Sequence, residues 1–207
     1  MAKLILVRHG ETIWNQQRRI QGGSSDIELS ELGKRQAENL AVELESTKLD
    51  AIYSSPLRRA LDTAKAIANS HKLSVRIEAN LKEIETGDLE GMPLDNLNIN
   101  FSQFILDWQQ DKDSAKLPGG ESLIDVGNRV WPVIQRIVNE SGQGAVVVVS
   151  HYFVIVTTIC YVFGLSFNHI TQFRINVGSM SIFNFENKCP CLITLNDTCY
   201  LRGTKLD

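Results

Sequence analysis

Apolar residues recur along the chain with two different periods, which predict strands separated by helices. Short continuous apolar runs at 3–7, 51–54 and 145–149 are typical of buried strands. Between these runs, apolar positions recur every three or four residues, as in helices that pack one face on a sheet. This alternation predicts a mostly parallel sheet with helices on both faces, which is a three-layer α/β/α sandwich.

Capping residues indicate where the helices begin. Ser30 is a predicted N-cap, and Ser55 with Pro56 is predicted to begin the next helix. A later apolar stripe begins at Leu123 and contains Pro132, which predicts a kink or a late helix start. Further strand-like segments are expected at 75–81, 179–185 and 191–195.

The segment from 94 to 120 has the least regular pattern. We interpret residues 1–207 as one domain with a small insertion or cap at this segment. Within it, Phe101, Phe104, Ile105 and Trp108 are spaced as in a short helix, which we expect to cover a site.

A run of 21 residues from Ala145 to Leu165 contains no Asp, Glu, Lys or Arg, and is long enough to span a bilayer. We interpret it as two buried elements instead. Its first part is rich in valine, as in a central strand, and Ser150-His151 separates this strand from a predicted helix at 153–163.

Composition and charge exclude several classes of protein. The chain has 207 residues, and 21 basic against 24 acidic side chains give a net charge of −3. This balance predicts binding neither to nucleic acid nor to an anionic membrane. The opening residues do not read as a secretory signal, and with four cysteines we expect a cytoplasmic location with reduced thiols. The oligomeric state stays open, with a homodimer as one option.

Two histidines follow two predicted buried strands. Arg8-His9 ends the first strand, and His151 ends the strand at 145–149. Ligands of open α/β sheets bind outside the carboxyl ends of the strands, so both imidazoles can face one site. On position alone, a functional pair and two packing histidines are about equally consistent with the sequence.

Neighbouring motifs add a family resemblance. The segment LILVRHGET at 4–12, with Trp14 and Asn15, closely resembles the signature of the histidine phosphatase superfamily, phosphoglycerate mutase-like branch. Other matching motifs follow in order: RIQG at 19–22, LSELG at 29–33, YSSPLRRA at 53–60, LKEI at 81–84, GDLEG at 87–91, GGES at 119–122 and VVSH at 148–151.

The resemblance implies a phosphoglycerate mutase-like fold and a role for each matching residue. His9 is the implied nucleophile, which forms a phosphohistidine, and a backbone carbonyl at Gly10 is expected to fix its tautomer. Glu83 is the implied general acid, with a raised pKa. Phosphate is expected to be held by Arg8, Arg59, His151, Asn15, Gln21 and Gly22.

Two sites in the motifs need comment: at 58–59 one of two arginines must be chosen, and at 152 the chain departs from the family pattern. The family places its arginine directly before the alanine, which selects Arg59, and Arg58 is then a solvated charge. Tyr152 stands where the family usually has a small residue after the second histidine. We expect Tyr152 to contact the substrate and, together with 94–117, to set substrate preference.

The predicted function is therefore hydrolysis of a phosphomonoester through a phosphohistidine, without metal or cofactor. The expected partner is a small phosphorylated metabolite, with α-ribazole phosphate, phosphoserine or a sugar phosphate as candidates. Two alternatives remain: a cofactor-dependent phosphoglycerate mutase, and a non-catalytic phosphate-binding module. Retention of both His9 and Glu83 speaks against the binding module.

Overall fold

A computed structural model of the chain describes residues 2–186 and 189–201. In these residues a single sheet has six strands in the order β3-β2-β4-β1-β5-β6. The strands are β1 (Ala2–Arg8), β2 (Ala51–Ser54), β3 (Val75–Ile77), β4 (Ala145–Ser150), β5 (Met180–Glu186) and β6 (Cys189–Asp197). The first four are parallel, and β5 and β6 are antiparallel to their neighbours. The predicted mostly parallel sheet is confirmed.

Helices cover both faces of the sheet. They are α1 (Ile13–Gln16), α2 (Glu31–Leu44), α3 (Arg58–His71), α4 (Leu97–Asn100), α5 (Ser102–Gln110), α6 (Leu123–Ser141) and α7 (Tyr152–Phe163). Along β1, Leu4 and Leu6 point into one core with α6 and α7. Ile5 and Val7 point into a second core with α2 and α3. Alternating side chains of a fully buried strand thus build the three-layer sandwich.

The apolar run from Ala145 is divided as predicted between β4, which is buried throughout, and α7. Among residues 2–186 and 189–201, no helix combines the length and apolarity needed to cross a membrane. Ser30 is the N-cap of α2, and its hydroxyl accepts the N–H of Gly33.

Two predicted boundaries were wrong. The helix expected at Ser55 begins at Arg58, with Leu57 as its N-cap residue, and the Ser55 hydroxyl contacts both His151 and the N–H of Leu57. The strand expected at 75–81 ends at Ile77 and continues as a short 3-10 helix. Of the two alternatives predicted for Pro132, the late start does not occur, because Pro132 lies inside α6, which begins at Leu123; the kink stays a prediction.

Candidate active site

A cavity of about 450 Å³ opens at the carboxyl ends of β1 and β4. Six of the nine residues predicted from the sequence line it: Arg8, His9, Asn15, Gln21, Glu83 and Tyr152. The remaining three, Gly22, Arg59 and His151, are buried and contact each other or those six. The fold therefore brings together residues that span most of the sequence.

His9 follows β1 and is almost fully buried. Its Nδ1 lies 2.7 Å from the carbonyl oxygen of Gly10. Because a carbonyl only accepts, Nδ1 carries the proton and Nε2 keeps its lone pair, as predicted from the sequence. Burial, followed by the positive charges of Arg59 and Arg8, holds the pKa of His9 well below its usual value. A neutral imidazole with a free Nε2 is suited to nucleophilic attack.

His151 is the N-cap residue of α7, and its ring centroid is 5.1 Å from that of His9. The Nε of Arg59 donates to its Nδ1 at 3.3 Å, so Nε2 carries the proton and donates to the Ser55 hydroxyl at 2.8 Å. Burial and then the charge of Arg59 also lower the pKa of His151 well below its usual value. The two imidazoles are thus neutral opposite tautomers. Because protein groups occupy both nitrogens of His151, its role as a phosphate donor stays a prediction.

Arg59 and Arg58 differ sharply, although they are neighbours in α3. Arg58 is exposed and pairs with Glu28, whereas the side chain of Arg59 is fully buried. Arg59 donates from Nη1 to the carbonyl of Ser25 and from Nη2 to that of Gly22, both at 2.8 Å. Burial lowers the pKa of Arg59 to about 10, so it remains a cation at neutral pH. Because all three nitrogens of the Arg59 guanidinium contact protein groups, its role as a phosphate donor stays a prediction.

Arg8 lies between the cavity and the loop before β5. Its Nη1 donates to the carbonyl of Ile175 at 2.6 Å, and its guanidinium carbon is 5.6 Å from the centre of the Tyr152 ring. The Nε of Arg8 and the Nε2 of Gln21 are buried and have no hydrogen-bond partner in the described part of the chain. Unpaired buried donors are costly. Two of them beside one cavity suit an anion with several acceptor oxygens.

Glu83 lies across the cavity, in the loop after the short 3-10 helix. Its Oε1 accepts the N–H of Ile84 at 2.9 Å and that of Phe153 at 3.2 Å. Burial raises the pKa of Glu83, and the nearby charges of Arg59 and Arg8 offset only part of this effect. A carboxyl group with a raised pKa can carry a proton for the leaving group, which is the role of a general acid.

Gly22 and Asn15 contribute in different ways to the loop beside His9. The N–H of Gly22 donates to Oε1 of Glu90, and its carbonyl accepts from Arg59, so its amide does not face the cavity. A Cβ at Gly22 would lie 2.5 Å from the Thr86 hydroxyl, which leaves room only for glycine. Asn15 lines the cavity, and its Oδ1 accepts the N–H of Thr12 at 3.0 Å. The predicted amide contact from Gly22 to phosphate is not supported by this geometry.

The family model for the histidine phosphatase superfamily (branch 1) matches residues 4–198. The chain belongs to this superfamily. Members similar to it include phosphoserine phosphatase 1 of Hydrogenobacter thermophilus, which is 37% identical over 97% of this chain and 95% of its own length. A probable phosphoglycerate mutase GpmB of Yersinia pestis is 32% identical over 100% of this chain and 98% of its own length.

Solved structures of the histidine phosphatase superfamily agree with the fold. A crystal structure of a phosphoserine phosphatase mutant from Entamoeba histolytica, in complex with phosphoserine, has a TM-score of 0.84 and 32% identity. The match covers 97% of this chain and 100% of that one. The predicted phosphoglycerate mutase-like fold is therefore confirmed.

Arg129 is a residue of this histidine phosphatase site that the sequence analysis missed. From α6 it donates to both carboxylate oxygens of Glu121, at 2.8 and 2.9 Å. It also donates to the carbonyls of Asn80, Lys82 and Glu83, at 2.7 to 3.0 Å. Glu121 belongs to the recognised GGES motif, but nothing in the apolar stripe of α6 marks Arg129 as its partner. Arg129 holds the backbone that carries the candidate acid.

Proposed function

We propose that the protein is a phosphomonoester hydrolase that acts through a phosphohistidine at His9. The observation that carries this proposal is the neutral His9 tautomer, with Nδ1–H bound to Gly10 and Nε2 without a protein partner among the described residues, in a cavity that Arg8 and Gln21 also line. Family membership and the similar phosphatases support the same class of reaction.

The residues supply each step of a balanced two-step reaction. Nε2 of His9 forms a bond to phosphorus while the bond from phosphorus to the ester oxygen breaks. Glu83 gives its proton to that oxygen, and the alcohol leaves. Water then attacks phosphorus while the bond from phosphorus to Nε2 of His9 breaks, the Glu83 carboxylate takes a proton from that water, and inorganic phosphate leaves with His9 neutral again. Arg8 and Gln21 donate to the phosphate oxygens, and Arg59 adds positive charge from behind the loop.

A rapid-quench experiment tests this proposal. With a labelled ester, we expect acid-labile and base-stable phosphate on His9, and complete loss of turnover in His9→Ala. Label on a serine, aspartate or cysteine would contradict the mechanism.

Because Arg8 and Arg59 supply the positive charge, we also expect full activity in excess chelator. Loss of activity that Mg²⁺ or Zn²⁺ restores would show that this charge is insufficient.

A phosphoglycerate mutase is the second candidate, because a relative with that probable function matches the full chain. A mutase must keep water from its phosphoenzyme until a second hydroxyl arrives. Here the cap over the cavity is built from the nine-residue α5, the four-residue α4 and a three-residue 3-10 helix at Leu94–Asn96. With 3-phosphoglycerate and catalytic 2,3-bisphosphoglycerate, we expect phosphate release to exceed formation of 2-phosphoglycerate. Isomerisation that is tenfold faster than phosphate release would favour the mutase.

The substrate is proposed to be a small phosphorylated metabolite, and relatives support this coarse class. A comparison of kcat/KM among α-ribazole phosphate, phosphoserine and sugar phosphates would rank the named candidates. The cytoplasmic location, the homodimer and the interpretation of 94–120 as an insertion stay predictions.

A further inference from the structure

The cavity has two chemically different ends. Polar groups that suit phosphate lie on one side, around His9 and Glu83. The other side is a wall of apolar side chains from several segments, and most of it belongs to the cap at 94–110. This apolar wall consists of Leu94, Leu97, Phe104, Ile105, Trp108, Leu117 and Phe153.

Aromatic contacts hold the apolar wall together. The ring centroids of Phe104 and Trp108 are 5.7 Å apart, and Trp108 meets Phe153 edge to face with centroids 6.3 Å apart. No residue of α5 is fully buried, so Phe104 and Trp108 both retain accessible area where they border the cavity. Apolar area that borders a cavity favours a ligand that covers it.

The same cavity offers little to a second anionic group. In the described residues, the charged side chains that line it are Arg8, Arg19 and Glu83. Arg8 and Glu83 belong to the phosphate end. Arg19 is exposed and already donates to Gln17 and to the carbonyl of Gly91. A carboxylate placed against the apolar wall would therefore lose water without gaining a buried counter-charge.

We propose that the apolar wall binds the leaving group, and that the preferred substrates are phosphomonoesters of alcohols with an apolar, preferably aromatic, body. This inference rests on the proposed hydrolase function and narrows its substrate class. Small esters with a carboxylate, such as phosphoserine and 3-phosphoglycerate, are then poor substrates for this chain.

Two alkyl esters separate binding at the wall from leaving-group chemistry. Propyl phosphate and 3-phenylpropyl phosphate release alkoxides of nearly equal basicity, but only the second carries a ring that reaches the wall. We expect kcat/KM to be at least about tenfold higher for 3-phenylpropyl phosphate, which corresponds to about 1.4 kcal/mol in the barrier. We expect phosphoserine to be no better than propyl phosphate.

Variants of α5 test whether the wall causes the preference. Trp108→Ala and the milder Phe104→Leu should both lower the ratio of the two kcat/KM values. Leu106→Ala is the matched control, because Leu106 lies on the same helix but is 51% exposed and does not line the cavity. Since the ratio compares two substrates on one sample, a loss of folded protein does not alter it.

The outcomes separate the inference from the function on which it rests. If neither alkyl ester nor phosphoserine is hydrolysed, the proposed hydrolase function fails. If the esters are hydrolysed with a ratio near one, or if phosphoserine is the best substrate, the function stands and the inference is overturned. A ratio that both Trp108→Ala and Phe104→Leu leave unchanged would also overturn it.

Discussion

At the scale of single residues, one buried environment shifts the pKa values of an acid and a base in useful opposite directions. Burial lowers the pKa of His9, which favours the neutral nucleophile, and raises that of Glu83, which favours the protonated acid. Both shifts have desolvation as their largest cause, because burial penalises a cation and an anion alike. Both shifts therefore move the free enzyme toward the form with neutral His9 and protonated Glu83.

The role of Glu83 is tested by a change of leaving group. Glu83→Gln should slow hydrolysis of an alkyl phosphate by about 10²–10⁴-fold, because an alkoxide needs a proton to leave. Hydrolysis of p-nitrophenyl phosphate should fall far less, since p-nitrophenolate leaves without one. The measurement is kcat/KM for both esters with wild type and variant, because kcat/KM reports the first step and excludes the later attack of water, which is common to both esters. Equal losses for the two esters would remove Glu83 from the acid role.

The two shifted pKa values also predict the pH profile of kcat/KM for an alkyl ester. Activity should fall on the acidic side only well below the usual histidine pKa, where His9 finally gains a proton. The alkaline limb should lie above the usual glutamate pKa, because Glu83 loses its proton late. Glu83→Gln should remove this alkaline limb. Comparing both proteins on one substrate cancels the ionisation of the ester, and an unchanged alkaline limb would contradict the assignment.

At the scale of elements, a capping residue in the sequence predicted the start of a helix correctly where the capping hydrogen bond is local. Ser30 caps α2 because its hydroxyl reaches an amide three residues later. Ser55 has the same local signal, but its hydroxyl contacts His151, which is 96 positions away in sequence, as well as the N–H of Leu57, and the helix begins only at Arg58. The contact of Arg8 with Ile175 likewise depends on a distant segment. Motifs thus predicted which residues meet, whereas their hydrogen-bond partners depend on tertiary packing.

Arg129 joins α6 to the backbone around Glu83 through hydrogen bonds to three carbonyls, and two further hydrogen bonds hold it to Glu121, so we expect it to be a positioning residue. In Arg129→Gln, kcat for propyl phosphate should fall by about 10- to 100-fold, with little change in KM, because Glu83 is misplaced while phosphate binding persists. Hydrolysis of p-nitrophenyl phosphate should fall less. Arg129→Lys should restore only part of kcat, since an ammonium lacks the planar fork.

The matched control for Arg129 is Arg136→Gln. Arg136 lies on the same helix and pairs with Glu78 and Glu140 at the surface. The Arg136→Gln variant should hydrolyse both esters at the wild-type rate. If Arg129→Gln lowers hydrolysis of the two esters equally, or acts mainly through KM, its influence does not pass through the acid.

At the scale of the whole molecule, the alternating pattern predicted the three layers, because burial on both faces produces the apolar runs of β1 and β4. The positions of β5 and β6 in the strand order of the sheet were less predictable from the sequence. Both had the pattern of late strands, yet β5 lies inside the sheet beside β1, and β6 is at the edge. Pairing partners depend on long-range packing, which a period of two residues does not encode.

Two buried neutral histidines make the stability of the whole molecule depend on pH. The unfolded chain binds protons at His9 and His151 as pH falls below about 6.5, whereas the folded chain does not. Each histidine should therefore lower the free energy of unfolding by about 1.4 kcal/mol per pH unit below that value. The raised pKa of Glu83 acts in the opposite direction and offsets part of the loss.

Urea unfolding at pH 7.5 and 5.5 measures this dependence. The loss of stability between the two values should be about 1.4 kcal/mol smaller in His9→Ala than in wild type. His169→Ala is the control, because His169 is exposed. An unchanged difference in His9→Ala would show that His9 becomes protonated in the folded protein at these pH values.

The position of β1 in the middle of the sheet has a consequence for the chain on the ribosome. Its partners are translated long after it, since Lys3 pairs with Ala145 and Leu4 with Phe183. At about 5–20 residues per second, the first of these partners emerges roughly 7–30 s later. Until then an almost wholly apolar strand has no place to dock and is exposed to chaperones or to other nascent chains. His9, which follows that strand, becomes part of an active site only after the segments that carry His151 and Ile175 have been translated.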